Sequence, residues 1–305
     1  MSGRLLVVGG TGFIGRHLVR RAEQAGLAVT VLSLHPPAAG VTRAGVEYLQ
    51  ADLRDASRLQ QLLAVRSFEY VVNLGGYINH ANYQNGGREV LAAHFNGLDN
   101  LVSTLKRDTL KKFIQIGSSD EYGNVSAPQH EDCREHPISP YAMAKVASAH
   151  LLQMLHLTEG FPATILRLFL VYGSGQDRQR FLPQIISGAL AGKVFPVSAG
   201  EQLRDFCYID DIIDGLFKAL GSHESDGEVI NLASGQPVTI RHVLEQVIEI
   251  VGRGEPKFGE IPYRTGENMA LWADVSKAKK LLHWQATTPL HKGLVQTIEA
   301  YRQTG

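Results

Sequence analysis

The chain has 305 residues, of which 44% are apolar, and this is enough to bury the core of one large domain or two smaller ones. The 30 lysines and arginines balance the 30 aspartates and glutamates, which argues against a protein that binds nucleic acid or another polyanion. The two cysteines, Cys133 and Cys207, form no CxxC pattern, so we expect no disulfide framework, no metal site and a reducing, cytoplasmic location. No apolar run approaches the ~18 residues of a membrane span, so we expect neither a leader peptide nor contact with a membrane.

The first half of the chain alternates short apolar runs with amphipathic stretches. The apolar runs are rich in β-branched residues and almost continuous, as in strands that are covered on both faces. The alternation predicts a Rossmann-type α/β domain over residues 1–173, a doubly wound parallel sheet with helices on both faces. The predicted strands are residues 4–8, 29–32, 46–49, 70–74, 112–116 and 164–169, and the predicted helices are residues 13–24, 56–63, 88–106 and 141–157.

After Gly173 the rhythm changes, and glycine, proline and arginine become denser. We predict a smaller C-terminal α/β substrate lobe over residues 174–305, with some segments that return to the first domain. No linker separates the two parts, which favours a single packed unit with a cleft between them. The predicted elements of this half are residues 182–190, 209–220, 229–232, 240–251, 275–282 and 290–301.

A glycine-rich loop, G-G-T-G-F-I-G, lies between the first predicted strand and the first predicted helix. Such a loop lets the backbone approach a pyrophosphate at the helix N-terminus, where free N–H groups and the helix dipole favour anions. Its position between strand and helix makes a purely structural turn the weaker alternative. The loop predicts a dinucleotide site that includes Gly9, Gly12, Phe13, Ile14 and Gly15.

The residues after the second predicted strand bear on the choice of cofactor. An acidic residue there would bind the ribose 2′-OH of NAD(H) and repel the 2′-phosphate of NADP(H). The position holds Ser33, followed by a leucine and His35, so we expect NADP(H), with NAD(H) as the alternative. Ser33, His35 or Arg43 could meet the phosphate, although Ser33 could equally just end a strand. Asp52 in A-D-L-R-D could accept a hydrogen bond from the adenine amino group, or cap the following helix.

An acid/base group is indicated by S-P-Y-A-M-A-K, in which Tyr141 precedes Lys145 by four positions. On a helix the two side chains share a face, and the ammonium would lower the pKa of the tyrosine hydroxyl. This spacing alone is common on helix surfaces. The preceding strand, however, runs into G-S-S-D-E-Y-G, whose Ser118 follows the carboxyl end of that strand, where parallel sheets bind ligands. Beside a nicotinamide, Ser118, Tyr141 and Lys145 would form a complete site for hydride and proton transfer.

These motifs, together with R-D-F-C-Y-I-D-D and W-A-D-V-S-K-A-K-K-L-L-H-W, resemble the extended short-chain dehydrogenase/reductase family in its nucleotide-sugar branch. The resemblance covers almost the whole chain, and that branch contains epimerases, dehydratases and 4-ketoreductases. It implies that Ser118, Tyr141 and Lys145 are catalytic and that a homodimer forms through helices 88–106 and 141–157. It also implies cofactor contacts at Leu53, Leu74, Gly75, Tyr141 and Lys145.

Two arginines are candidates for binding the diphosphate of a nucleotide sugar. Arg204 opens R-D-F-C-Y-I-D-D, and Arg264 stands in Y-R-T-G-E at a position where the family has a diphosphate-binding arginine. A guanidinium presents a planar fork of donors that suits phosphate oxygens. The alternative for Arg204 is a structural ion pair with Asp205 or Asp210.

The reaction depends on the residues that follow Ser118. A 4,6-dehydratase of the family would need an acid and a base there, but the acid position holds Ser119 and the base position holds the short Asp120. Glu121 is expected on the other side of the chain. The segment also looks like S-S-E-E-Y-G of reductases that act on nucleotide-linked 4-keto-6-deoxyhexoses. We therefore expect a 4-ketoreductase with Ser119 and Asp120 at the sugar, and a C4 epimerase, a dehydratase or a non-catalytic cofactor sensor as alternatives.

The chain departs from the family pattern at several positions near the expected sugar. Leu170 replaces an asparagine in R-L-F-L-V-Y-G, and His94 replaces one in H-F-N-G-L-D-N-L. The usual L-A-A after the fourth strand is L-G-G, which ends in Gly76. Tyr77, Asn79 and His80 follow and could line the sugar pocket or simply form a surface loop. A hydrogen-bonded helix histidine is the preferred interpretation of His94.

Overall fold

The computed structural model describes residues 2–38, 40–263 and 266–304. The strands are β1 (Arg4–Val8), β2 (Ala28–Ser33), β3 (Glu47–Gln50), β4 (Tyr70–Asn73), β5 (Lys112–Ser118), β6 (Ala163–Leu168), β7 (Leu170–Tyr172), β8 (Val194–Val197), β9 (Leu203–Tyr208), β10 (Val229–Leu232), β11 (Pro237–Thr239), β12 (Glu255–Phe258) and β13 (Ala270–Leu271). The α-helices are α1 (Phe13–Gln24), α2 (Ala56–Leu63), α3 (Arg88–Leu91), α4 (Gly97–Thr104), α5 (Pro140–Glu159), α6 (Phe181–Leu190), α7 (Ile209–Leu220), α8 (Ile240–Val251), α9 (Ser276–Leu282) and α10 (Leu290–Thr304).

The main sheet has seven strands in the order β10-β6-β5-β4-β1-β2-β3. Every neighbouring pair in it is parallel. The predicted Rossmann-type fold is therefore confirmed. The order reverses between β1 and β4, and the carboxyl ends of these two strands frame the crevice in which parallel sheets of this kind bind ligands.

Both faces of this sheet are covered, as the nearly continuous apolar strands predict. Side chains alternate along a strand, so Leu5 and Val7 pack in one buried cluster with α1, α6, α7 and α8. Leu6 and Val8 belong to a second cluster on the opposite face with α2, α4 and α5. All four β1 side chains are at most 2% exposed. The sheet is thus held between two hydrophobic layers, and its polar site lies at the strand ends.

The C-terminal half adds one strand to the main sheet and builds two small sheets of its own. Strand β10 lies beside β6 at the edge of the main sheet. Strand β9 is flanked by β11, β13 and β7, and β8 pairs with β12. No helix in the described parts of the chain is long and apolar enough to cross a membrane.

The long helix predicted over residues 88–106 is interrupted. Helix α3 ends at Leu91, a π-helical turn spans Ala92–Asn96, and α4 ends at Thr104. A further turn, Tyr83–Gly87, precedes them and contains Gly86 with φ of 101°. The hydrophobic periodicity of the sequence does not reveal such a widened turn, because the turn shifts the side chains by a single position. Single π turns are frequent at functional sites, and this one carries the buried His94.

Helix α5 begins and ends with strong local signals. The Ser139 hydroxyl accepts a hydrogen bond from the Ala142 N–H at 3.1 Å, and Pro140 occupies the first turn. Gly160 ends the helix in the left-handed conformation with φ of 66°. The cap fixes where the first turn lies, and that turn carries Tyr141.

Candidate active site

The glycine loop has the shape that a dinucleotide pyrophosphate requires. A Cβ on Gly15 would lie 2.4 Å from the Gly9 carbonyl oxygen, so helix and loop could not pack as closely with any larger residue. A Cβ on Gly12 would meet only that same oxygen, at 3.3 Å, so the outer side of the loop is open. No side chain caps the N-terminus of α1 at Gly12, which leaves its first N–H groups for an anion. Gly9, Gly12, Phe13, Ile14 and Gly15 therefore fit a dinucleotide.

The other predicted cofactor residues lie along the same edge of the sheet. Leu74 and Gly75 directly follow β4, and Leu53 packs under the loop, 3.0 Å from where a Cβ on Gly75 would be. Ser33 is buried at the end of β2 and accepts a hydrogen bond from the Thr11 hydroxyl at 3.1 Å. Asp52 pairs with the Arg54 guanidinium at 2.6 Å. The helix-cap alternative for Asp52 is wrong, because Asp55 caps α2 by accepting from the Arg58 N–H.

A cavity of about 340 Å³ opens beside the glycine loop at Gly10. Its lining includes Arg16, Arg20 and Arg43, and no carboxylate from the described residues lines it. The Arg43 guanidinium also pairs with Glu23 at the rim. Three guanidiniums without a lining carboxylate make this cavity attractive to a phosphate group.

Ser118, Tyr141 and Lys145 converge between β5 and α5. The Ser118 side chain lies close enough to the Tyr141 hydroxyl to lower its pKa. The Lys145 ammonium lies 5.8 Å from the centre of the Tyr141 ring and donates to the Ile116 carbonyl at 2.9 Å. Both helix side chains are about 95% buried, with 4% and 5% exposure. The pair separated by four positions is thus enclosed beside the hydroxyl of Ser118.

Burial shifts the pKa of both helix residues. It lowers the pKa of the Lys145 ammonium to about 8. Burial also raises the pKa of the Tyr141 hydroxyl, with a further rise from the negative charge of Asp120. The Ser118 side chain and the positive charge of Arg180, a residue that the sequence analysis did not single out, lower it. Tyr141 is thus held as a neutral proton donor, against the lowering of its pKa that the sequence predicts, and Lys145 loses its proton only as the pH rises through about 8.

The turn after Ser118 is fixed by a buried ion pair. The Glu121 carboxylate accepts from the Ser118 N–H at 2.8 Å and, through its second oxygen, from the Arg167 Nε at 2.8 Å. Neither side chain of the ion pair is exposed. Arg167 also donates to Glu135 at 2.7 Å and lies 4.6 Å over the Tyr122 ring. Glu121 therefore lies behind the turn, as the sequence predicts, and serves to hold Ser118.

Asp120 alone of this segment presents a carboxylate toward the cleft. Its carboxylate lies 3.7 Å from the His80 ring, and burial raises the pKa of the Asp120 carboxyl while His80 and Arg204 lower it. Ser119, the other predicted substrate residue, is buried at 5% exposure. The structure therefore brings Asp120 and His80 beside Tyr141, whose ring lies 5.7 Å from the His80 ring.

Arg204 lies at the same cleft but has a partner that neither alternative named. Its guanidinium pairs with Glu267 and donates to the Leu203 carbonyl at 2.8 Å. Asp205, the expected ion-pair partner, instead accepts from Ser234 and the Gly235 N–H. Arg264, the second predicted diphosphate residue, lies outside the described residues.

Arg167 is the main residue that the sequence analysis missed. A single arginine in the apolar run T-I-L-R-L-F was a usable signal, because a charge in a strand covered on both faces must be paired. Its partners Glu121 and Glu135 are 46 and 32 residues away, and nothing in their spacing identifies them.

The model of the NAD dependent epimerase/dehydratase family matches residues 5–233 of this chain. A UDP-glucuronate 4-epimerase from Thermodesulfobacterium geofontis is 28% identical over 97% of this chain and 95% of its own length. A dTDP-glucose 4,6-dehydratase from Haemophilus influenzae is 25% identical over 97% of each chain. Among solved structures, the UDP-glucose 4-epimerase of Thermotoga maritima, determined with UDP-glucose, has a TM-score of 0.92 and 27% identity over 99% of each chain.

Proposed function

The chain belongs to the NAD-dependent epimerase/dehydratase family, and on this premise we propose that it is a reductase of a nucleoside-diphosphate 4-keto-6-deoxyhexose, acting at C4 with NADPH. Membership makes it an NAD(P)-dependent enzyme of the nucleotide-sugar type, and the resemblance of S-S-D-E-Y-G to ketoreductases favours reduction. A C4 epimerase and a 4,6-dehydratase remain the alternatives, with a non-catalytic cofactor sensor as the alternative of another class.

The observation that carries this proposal is the number of acid/base groups that the segment directly after Ser118 turns toward the cleft. A dehydratase removes one proton and protonates a leaving hydroxyl, so it needs two such groups besides the catalytic tyrosine. Here Glu121 is held by Arg167 and the Ser118 N–H, and Ser119 has no acidic group. Asp120 is the single carboxylate of the segment on the cleft side. Reduction of a ketone needs one proton donor, and Tyr141 suffices for it.

The residues that would meet the cofactor favour NADPH over tightly held NAD. A reductase must release its oxidised cofactor after each turnover. An epimerase oxidises and re-reduces the same sugar, so it keeps its cofactor bound. Ser33 offers no carboxylate to the ribose, and its hydroxyl is already engaged with Thr11. The cavity lined by Arg16, Arg20 and Arg43 lies directly beside the loop and suits a 2′-phosphate.

The roles of the chain's own residues follow from their positions. When bound, the nicotinamide cofactor supplies the hydride for C4. Ser118 donates a hydrogen bond to the substrate carbonyl oxygen, and Tyr141 gives that oxygen its hydroxyl proton, which converts the ketone to an alcohol. The Lys145 ammonium stabilises the phenolate that forms. We assign the diphosphate to Arg204 and Arg264, and the nucleotide sugar to the lobe of residues 174–305.

The experiment that tests the proposal is oxidation of NADPH and NADH by the purified protein with dTDP- and GDP-linked 4-keto-6-deoxyhexoses. We expect rapid NADPH oxidation with stoichiometric loss of the ketone. If neither cofactor is consumed and NAD(H) leaves only when the protein is denatured, the reductase assignment is wrong and an epimerase or dehydratase takes its place. A Tyr141→Phe variant that retains full function would instead favour the sensor.

We also propose a homodimer that buries the outer face of α5. Met143, Met154 and Leu157 on this helix are 47%, 45% and 83% exposed in the isolated chain. A helix face with that much apolar surface is typical of a protein interface. Light scattering after size-exclusion chromatography should give a mass of twice the 33.4 kDa chain. The Leu157→Glu variant should have the mass of the monomer. A monomeric wild type would contradict this assembly.

A further inference from the structure

The ring of Tyr141 rests against a buried histidine to which the proposed chemistry gives no role. The centres of the His94 and Tyr141 rings lie 5.2 Å apart, with the ring planes at 79°, an edge-to-face contact. His94 is 6% exposed, and its Nε2 lies 2.9 Å from the Tyr77 carbonyl oxygen. The histidine thus joins the loop after β4 to the proposed proton donor.

The loop has made room for this ring by omitting a side chain. A Cβ on Gly76 would lie 2.1 Å from Cε1 and 2.5 Å from Nδ1 of His94, far inside van der Waals contact. The imidazole therefore occupies the space that an alanine at position 76 would fill. The two departures from the family pattern, a larger residue at position 94 and a smaller one at position 76, compensate each other sterically.

The environment of His94 excludes a role as an acid. Burial, followed by the positive charge of Lys145, lowers the pKa of the His94 imidazole to about 3. A neutral ring with its proton on Nε2 donates to the Tyr77 carbonyl and has none to deliver. What remains to it is orientation: it fixes the loop and one side of the tyrosine ring together.

We propose that His94 and Gly76 form a matched pair that orients Tyr141 for proton transfer to the substrate oxygen. His94 is thus a positioning residue, and Gly76 leaves the space that the His94 ring occupies. The inference rests on the proposed role of Tyr141 as proton donor. The hydroxyl must meet the substrate oxygen at hydrogen-bonding distance, and a displacement of about 1 Å can cost on the order of 10²-fold in rate.

A double-mutant cycle tests the pair, with Gly76→Ala, His94→Asn and the combined variant compared in steady-state NADPH oxidation. Gly76→Ala should lower kcat by on the order of 10²-fold, because the new methyl group displaces the His94 ring. His94→Asn should lower kcat by about tenfold, with KM and cofactor affinity nearly unchanged, because only the approach of the hydroxyl suffers. In the asparagine background Gly76→Ala should cost almost nothing, since the colliding ring is gone.

Gly86→Ala is the matched control for backbone strain. Gly86 has a similar φ of 101°, against 110° for Gly76, but its nearest neighbour to a new Cβ would be Ala81 at 3.9 Å. This control should leave kcat within about twofold of wild type, since it shares the strain without the collision. Thermal unfolding of every variant separates loss of fold from loss of alignment.

A second measurement distinguishes positioning from general support of the fold. Lys145 is faced by Tyr141 on its own helix, by Glu121 after β5 and by His94, and its low pKa derives from burial. A smaller residue at position 94 admits water, so the alkaline limb of kcat against pH should move upward by about one unit in His94→Asn. The proposal is wrong if Gly76→Ala lowers kcat equally in the wild-type and His94→Asn backgrounds. It is also wrong if His94→Asn changes neither kcat nor the alkaline limb of the pH profile. If neither the wild type nor Tyr141→Phe oxidises NADPH with the keto sugars, the proposed function is refuted instead.

Discussion

Replacing Arg167 with methionine should destabilise the protein far more than the loss of an ordinary surface arginine. Arg167 in β6 and Glu121 in the turn after β5 are both 0% exposed, and their ion pair at 2.8 Å is the main compensation for these two buried charges. Methionine has a similar length and no charge, so the variant leaves the Glu121 carboxylate buried without its cation. Breaking a buried pair in this way costs about 3–5 kcal/mol in the free energy of unfolding. That is about 10²–10⁴ in the folding equilibrium constant.

Activity should fall together with stability, because Glu121 also accepts from the Ser118 N–H at 2.8 Å. A carboxylate that turns toward water releases that N–H, and Ser118 then loses its fixed direction toward the substrate. Combining Arg167→Met with Glu121→Gln removes the orphan charge and should recover a large part of the lost stability. Urea unfolding followed by circular dichroism measures the first effect, and NADPH oxidation in the absence of urea measures the second.

Arg107→Met is the matched control, since Arg107 pairs with Glu159 where the two side chains are 41% and 48% exposed. An exposed pair contributes about 0–1 kcal/mol. If Arg167→Met costs no more than this control, the buried pair does not hold the turn, and the explanation given for the position of Ser118 is wrong.

Three further predictions concern the chemistry. Tyr141→Phe should lower kcat by about 10²–10⁴-fold with cofactor affinity unchanged, as fluorescence titration would show; substantial turnover would exclude it as the proton donor. Because burial lowers the pKa of Lys145 to about 8, kcat should fall as pH rises through that value; a similar limb in Lys145→Arg, which keeps its charge, would assign the limb to another group. Arg43→Ala should raise the KM for NADPH by about tenfold and leave that for NADH unchanged, and equal effects on both would place the 2′-phosphate elsewhere.

The sequence by itself determined the features that depend on neighbouring residues. The alternation of apolar strands with amphipathic helices is a local pattern, and it predicted the seven strands of the parallel sheet to within two residues. It missed the short strands of the two small sheets, β7, β8, β9, β11, β12 and β13. The glycine loop, the serine cap of α5 and the spacing of Tyr141 and Lys145 are local as well, because each is set within one turn of the backbone. The family resemblance implied the roles of these motifs only because their order along the chain is intact.

The tertiary structure decided which distant residues meet, and with them the chemistry that the site can perform. Glu121 was expected behind the site and Arg204 within it, but their partners Arg167 and Glu267 lie 46 and 63 positions away. Such ion pairs depend on which strands lie side by side and on how the loops pack, and no spacing along the sequence predicts them. The fit of His94 against Gly76 arises in the same way, since the two residues belong to separate elements and only folding brings the ring to the place of the missing methyl group.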